Sequence, residues 1–480
     1  MTMTVVKGVT CPVCGSLCDD IDVTVNNNVI VEVKNACAVG AAKLLDYRNN
    51  RNKTPLIRKD GRLVEATIDE AIHRSAEILA NAKYPIFYGW SSTSCEAIRK
   101  GLELAEEVGG VIDNTATTCH GPSILSIQDV GISSSTLGQL RHRADLIIYW
   151  GSDPWSAHPR HIERYTKFSG GRFQESDWSG YVTRTSTLQT EKRRTRVSRL
   201  AGVKGEAEVA SVEPVPYKLF RKGRKMIVID VRKTRTAELA DYFLQVEAGK
   251  DYELLQAFRM LIRDEELEVD RVAGVPVGTL EEIADVMVNC SLGIVFFGMG
   301  LTMSSGKHRN VDAALSLVRD LNQRTKFLIM PMRGHFNVNG ANTVSTWQTG
   351  YPYAVDFSHG YPLYNPGETS VIDILCRGES DAGLVIAADP VSNFPREAVQ
   401  SLVKNPLIVI EPMVSPTSLM ADVVIPSTFV GIECEGTAYR MDHVPLPLKR
   451  VVKPSSNLLS DEEVLGRILV EIREMRKRAL

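Results

Sequence analysis

Short apolar runs recur along the chain, each closed by glycine, aspartate or proline: PIFYG, LIIYW, MIVID, GIVFF, FLIMP, GLVIA, LIVI and DVVIP. Runs of this length bounded by turn residues predict buried strands of an open parallel sheet. The stretches between them have helical spacing. From Thr67 to Asn81 the segment containing DEAIHRSAEILA predicts a helix, and EAIRKGLELAEEVGG, entered through SSTS and closed by glycine, predicts another. VEAGKDYELLQAFRMLI, DAALSLVRDL and the final DEEVLGRILVEIREMRKRAL read the same way. Strand, helix, strand is the α/β signature. Two stretches depart from it. IDVTVNNNVIVEV alternates with period two about NNN and predicts a hairpin. Residues 166–221, rich in Ser, Gly, Thr and charge, predict a surface insertion whose basic run EKRRTRVSR is a solvated face or a partner contact. No low-complexity segment or short-period repeat is visible.

At 480 residues the chain exceeds what one core accommodates, and its length suggests roughly three domains. With 56 basic against 58 acidic residues the formal charge is −2, so nothing global attracts nucleic acid or an anionic membrane. No apolar run approaches the roughly 18 residues of a membrane helix, and MTMTVVKGVT has no signal-peptide pattern, so a cytoplasmic location is expected. Nine cysteines, an odd number, in such a chain point to metal-binding or catalytic thiols rather than a disulfide frame.

Those cysteines are unevenly placed. Cys11, Cys14, Cys18 and Cys37 are spaced C-x2-C-x3-C-x18-C. Three thiolates in one short loop with a fourth beyond a hairpin suit a [4Fe-4S] cluster better than zinc, which usually takes two separated pairs. Lys43 follows, either near that cluster or as a solvated helical lysine. TTCHGP sets Cys119 beside His120 in a loop bounded by glycine and proline, a thiolate and imidazole pair able to ligate a metal or attack a substrate.

Several strand ends have phosphate chemistry. Gly151, Ser152 and Asp153 follow LIIYW, and a glycine turn there lets backbone approach a phosphate while a following helix offers its N–H groups. Asp230 ends MIVID, with Arg232 and Thr234 after it: an acid suited to ribose hydroxyls beside donors suited to phosphate. Gly298 and Gly300 form a GxG without the full dinucleotide fingerprint. Asp389 ends another strand in a proline-containing loop. Arg333, His335, Asn337 and Asn339 lie in RGHFNVNGAN, which reads as a loop too polar for a core. His73, His158 and His161 read as packing, turn or surface residues, with no carboxylate motif to complete a metal site.

Taken in order, the cysteine quartet, TTCHGP, GSDP, IDVRKTRTAELAD, FFGMG, PMRGHFNVNGAN, AADP, ADVVIP and EGTAYRMD make the chain resemble molybdopterin-dependent oxidoreductases of the formate dehydrogenase group, and within it the B subunits of formylmethanofuran dehydrogenases. The resemblance spans nearly the whole chain outside 166–221. It implies an α/β fold of molybdopterin oxidoreductase architecture: several mixed or parallel-sheet lobes with an N-terminal iron–sulfur lobe. The implied domains are residues 1–57, joined by 428–480, for the iron–sulfur lobe; 58–142 with 335–427 as a cofactor-binding domain; and 143–334 as a dinucleotide-binding domain carrying the insertion.

The resemblance implies tungsten or molybdenum held by two molybdopterin guanine dinucleotides, with Cys119 as a protein ligand and His120 and Arg333 beside it. Gly151, Ser152, Asp153, Asp230, Arg232, Thr234, Gly298, Gly300 and Asp389 would bind the nucleotide arms, with Gly431 to Arg440 a weaker match. Relatives continue into a C-terminal β-barrel, whereas this chain stops soon after EGTAYRMD, so a separate small subunit is expected to complete the pocket. Iron–sulfur electron-transfer subunits and an amidohydrolase subunit that binds methanofuran are the other implied partners. The implied reaction is reversible reduction of CO2 to formate, with Arg333 clamping the carboxylate and His120, titrating near neutrality, as proton donor or electrostatic partner. The alternatives are a formate dehydrogenase catalytic subunit and a non-redox scaffold of a formyltransferase/hydrolase complex; scaffold relatives lack the ligating cysteine, so Cys119 argues against the latter.

Overall fold

The computed structural model describes residues 3–171, 178–182, 215–220, 224–454 and 458–479. The chain divides into two compact units. One comprises Met1–Lys34, Val39–Thr118 and His335–Leu480, the other Asn35–Ala38 and Cys119–Gly334.

The second unit is built on five parallel strands in the order Tyr242–Gln245, Lys225–Asp230, Leu146–Trp150, Leu292–Phe297 and Lys326–Pro331. The apolar runs become these strands because helices cover both faces. Leu146 to Trp150 are all buried, and Leu146, Ile148 and Trp150 pack with Phe258, Leu280, Val311 and Leu317 from flanking helices. The chain starts in the middle, moves outward to one side, then returns to fill the other. Its switch point therefore lies between Leu146–Trp150 and Leu292–Phe297, where doubly wound sheets open a crevice at the strands' carboxyl ends.

The first unit repeats this arrangement. At the centre of its nine-stranded sheet lie five parallel strands, Val111–Asn114, Pro85–Gly89, Ala382–Ile386, Leu407–Ile410 and Val423–Ile425, flanked by antiparallel edges. Here the switch point falls between Pro85–Gly89 and Ala382–Ile386. Mixed α/β sheets in both units match the expected class.

The local signals hold where a physical device fixes the boundary. Thr67 caps the helix Ile68–Asn81 in a reciprocal capping box with Glu70. Ser94 caps Cys95–Val108, which ends at Gly109 in the left-handed region (φ 68°). The NNN hairpin pairs Ile21–Asn26 with Val29–Lys34 and places Asn27 and Asn28 at positive φ, as a tight hairpin turn requires. Met3–Val9 completes this three-stranded antiparallel sheet.

Two polar stretches differ from what their composition predicts. RGHFNVNGAN does not remain a loop: helix Val338–Thr349 starts inside it, and its asparagines are buried. Asn337 donates to the Thr93 carbonyl (2.7 Å) and accepts from Tyr439 N (2.9 Å), while Asn339 donates to Arg440 O (2.8 Å). An amide satisfied at both ends, as Asn337 is, can sit in a core; the Asn339 amide oxygen is buried without a hydrogen-bond partner among the described residues. The insertion also begins later than composition suggests. Tyr165 to Ser169 are buried, Lys167 pairs with Asp241, and buried Arg224 donates to Thr166 O and Ser169 Oγ. The basic run EKRRTRVSR lies outside the described residues. No helix among the described residues is long and apolar enough to cross a membrane.

Candidate active site

In the second unit, the carboxyl ends of three adjacent strands gather eight of the nine residues expected to bind cofactor. Gly151, Ser152 and Asp153 follow the central strand, Asp230, Arg232 and Thr234 one neighbour, and Gly298 and Gly300 the other. The glycines have a structural reason of their own. Gly151 sits at φ +53°, and a Cβ there would stand 2.8 Å from the Gly300 backbone. Gly298 N donates to Trp150 O (3.0 Å) and Gly300 N to Gly151 O (3.0 Å), so the two loops cross in direct backbone contact. Gly151→Ala is accordingly expected to cost about 1–3 kcal/mol from strain at positive φ, before any clash is counted. Thermal unfolding checks this: an unchanged Tm would mean that the loops can part freely.

Asp153 is a strut. One carboxylate oxygen accepts from the Thr236 hydroxyl, the other from Ser156 Oγ (2.7 Å), and Thr236 Oγ1 in turn accepts from Trp155 N (3.1 Å). Asp230 is half-buried and accepts from Arg232 N (3.2 Å). Burial raises its pKa, the Arg232 N–H and charge oppose this, and nearby Asp153 adds to the rise. Thr234 caps the short helix Arg235–Glu238, and Arg232 is exposed.

The first unit contains the same loop, a recurrence that local pattern does not connect. Asp389 accepts from Thr417 Oγ1 (2.5 Å) and from Ser392 Oγ (2.6 Å), and Thr417 Oγ1 accepts from Val391 N (3.1 Å). Ala387 takes the place of Gly151, at φ +47°, with its N–H on Ile410 O as that of Gly151 is on Ile229 O. Glu411 directly follows its strand where Asp230 ends its own, each six residues before the paired threonine. The repeated D-P-x-S of DPWS and DPVS is the available signal. The helpers Ser156, Thr236, Ser392 and Thr417, together with Glu411, do not stand out in the sequence.

Cys119, His120 and Arg333 also belong to the second unit. Cys119 lies just before helix Gly121–Val130, its thiol partly accessible and its carbonyl accepting from Thr302 Oγ1 (2.8 Å). Burial pushes the thiol up to about 11, and the positive charge of Arg333 works against that. Arg333 is 4% exposed; burial lowers it to about 10 and Cys119 supports its charge. The two side chains therefore sense each other.

His120 departs from expectation. It is fully buried, with Nε2 facing Met332 O (3.2 Å) and Nδ1 facing Ser123 Oγ (3.0 Å). A carbonyl only accepts, so Nε2 carries the proton and Nδ1 accepts from the serine. Burial, then the charge of Arg333, lowers its pKa to about 3, so it does not titrate near neutrality. His158 and His161, expected as turn or surface residues, are 2% and 0% exposed. His158 Nε2 meets the Arg333 carbonyl at 2.7 Å, and His161 Nδ1 meets Tyr149 Oη at 2.9 Å. His73 is exposed and pairs with Glu471 (2.9 Å).

Of the cysteine quartet, Cys11, Cys14 and Cys18 lie in one loop of the first unit, folded back by Cys11 N to Cys18 O (2.9 Å) and Leu17 N to Cys14 O (3.0 Å). Cys37 is 8% exposed and directly precedes helix Ala38–Leu45. None of the nine cysteines forms a disulfide. Among the described residues no three His, Cys, Asp or Glu side chains are arranged as a metal-holding group. Lys43 lies over the Phe429 ring (5.1 Å). It is exposed on helix Ala38–Leu45, as a solvated lysine would be, while desolvation lowers its pKa and both Glu411 and Cys11 oppose that.

No family model matches the chain. It is 46% identical over 474 residues to the B subunit of the tungsten-containing formylmethanofuran dehydrogenase 2 of Methanocaldococcus jannaschii, covering 98% of this chain and 99% of the relative. With the corresponding protein of Methanococcus maripaludis it shares 43% over 477 residues, 99% of this chain and 100% of that one. Among solved structures, a chain of the formyltransferase/hydrolase complex of Methylorubrum extorquens superposes with a TM-score of 0.65 at 19% identity, covering 88% of this chain and 100% of that one, which shows a shared fold. The chain belongs to the B-subunit family of formylmethanofuran dehydrogenases, which are oxidoreductases.

Proposed function

We propose that this chain carries the step interconverting CO2 and formate, at tungsten or molybdenum held by two molybdopterin guanine dinucleotides, with Cys119 as the protein ligand. The observation that carries this reading is a partly exposed cysteine in electrostatic reach of a buried arginine, beside a nucleotide-type crevice. The residues suit the group. The crossed glycine loops lie at the switch point, Asp230 offers a half-buried acid for ribose hydroxyls, and the Asp389 loop repeats the arrangement for a second nucleotide. When bound, the metal would supply two-electron redox chemistry and hold Cys119 as thiolate. Cys11, Cys14, Cys18 and Cys37 have the donor chemistry and spacing for a [4Fe-4S] cluster forming an N-terminal iron–sulfur lobe.

Converting CO2 to formate takes up two electrons and one proton while negative charge collects on the oxygens. Arg333 offers a planar fork whose parallel N–H bonds match a carboxylate, and its burial keeps water from competing. His120 stays neutral and holds Met332 O, so its part is electrostatic and positional rather than that of an acid. The formate would pass to an amidohydrolase subunit that binds methanofuran. Iron–sulfur subunits would supply electrons, and a small subunit would complete the pocket.

Anaerobic purification with the partner subunits, elemental analysis and a viologen-linked assay with formylmethanofuran test this. Stoichiometric tungsten or molybdenum with formylmethanofuran-dependent viologen reduction is expected. Iron without either metal, and no viologen reduction, would favour the non-redox scaffold. Formate turnover indifferent to methanofuran would favour a formate dehydrogenase subunit.

A further inference from the structure

We propose that His158 is a positioning residue for Arg333, its Nε2–H holding the Arg333 peptide carbonyl so that the guanidinium keeps its place beside Cys119. The inference rests on the reading of Arg333 as the group that binds the carboxylate oxygens.

His158 ends the short helix Pro154–Ala157, and its N–H donates to Pro154 O (2.9 Å), so it is tied to the loop Gly151–Pro154. Its ring is buried and reaches Arg333 O at 2.7 Å. The carbonyl cannot donate, which puts the proton on Nε2 and leaves Nδ1 a bare acceptor. Nδ1 is buried and has no hydrogen-bond partner among the described residues. Such an acceptor costs roughly 1–3 kcal/mol, which an aliphatic side chain would avoid. Packing alone gives no reason for an imidazole here; the bond to Arg333 does.

The peptides around Arg333 are pinned at three points. Met332 N donates to Phe297 O (2.8 Å), His120 Nε2 donates to Met332 O, and His158 Nε2 donates to Arg333 O. His120 belongs to the loop of Cys119, while His158 comes from the loop of Gly151. The second therefore ties the arginine's backbone to the nucleotide-type crevice. A displacement on the order of 1 Å at a clamp of this kind is enough to cost about a hundredfold in rate.

His158→Gln places an amide donor close to the position of Nε2, whereas His158→Asn is too short to reach and His158→Leu lacks a donor. Measured on the purified holoenzyme complex, His158→Leu and His158→Asn are expected to lower kcat/KM for viologen-linked formate oxidation by about 10- to 100-fold, with His158→Gln within about threefold of wild type. Tungsten or molybdenum content and the iron–sulfur signal should not change. Placed on Arg333→Lys, His158→Leu should add little, because both act through one group. Should His158→Leu retain wild-type kcat/KM while Arg333→Lys is impaired, His158 is only a core residue. Equal losses in the Gln and Leu variants would assign the effect to ring packing and overturn the proposal. If Arg333→Lys is itself unimpaired, the reading of Arg333 falls instead. Should His158→Leu fail to assemble, the Gln and Asn pair decides.

Discussion

Cys119→Ala is expected to bring CO2 and formate turnover down by at least about a thousandfold, or about 4 kcal/mol of barrier, while leaving the iron–sulfur signal intact. Cys11, Cys14 and Cys18 lie far from Cys119 in sequence, in a loop closed by its own backbone bonds, and Cys37 precedes helix Ala38–Leu45, so the change should leave the ligands of the proposed cluster in place. Little stability should be lost. The cysteine is only partly exposed, and removing its one sulfur falls among substitutions that usually cost about 1 kcal/mol. Cys119→Ser separates ligand softness from size, because an oxygen of similar reach is a harder donor than the thiolate it replaces. Viologen-linked turnover, metal content and the iron–sulfur signal, measured together, check the expectation. Wild-type turnover in Cys119→Ala would remove the thiol from the metal.

Arg333→Lys carries the second large effect. The guanidinium can place two parallel N–H groups on one carboxylate, whereas an ammonium presents a point charge. Each charge-assisted bond contributes about 1.5–3 kcal/mol, so losing one of the two predicts a fall of about 10- to 100-fold in kcat/KM for formate. Arg333→Met removes charge and fork together and should fall further. The charge of Arg333 also holds the Cys119 thiol below where burial alone would put it. An unreactive methionine there should therefore make the thiol harder to ionise in protein lacking the metal, a change visible in the pH dependence of its alkylation. If kcat/KM is unaltered in Arg333→Lys, the clamp does not operate.

The strands, the capped helices and the chemically loaded pairs were legible because each is set by neighbours in sequence. A run such as LIIYW can only be buried, Thr67 with Glu70 closes a capping box within one turn, and a thiol beside an imidazole is visible as a candidate. Local pattern failed where a polar residue was satisfied by a distant partner. Asn337 and Asn339 look like loop residues until Thr93, Tyr439 and Arg440 meet them with hydrogen bonds. His158 looks like a turn residue until the Arg333 carbonyl, 175 residues away, meets it.

The sequence by itself determined the class of fold, carried the resemblance to a redox family, and singled out the thiol and arginine proposed for the site, since each signal depends on residue type and short spacing. Only the tertiary structure decided the order of strands in the two sheets and the pairing of Asp153 with Thr236 and Asp389 with Thr417, and with them the recurrence of one loop in both units. It also decided that Gly151, Gly298 and Gly300 serve a crossing of loops and that His120 is locked neutral. The reason is that a local signal records what a residue can do with its neighbours. A buried hydrogen bond between distant segments exists only after both have been brought out of water to the same place.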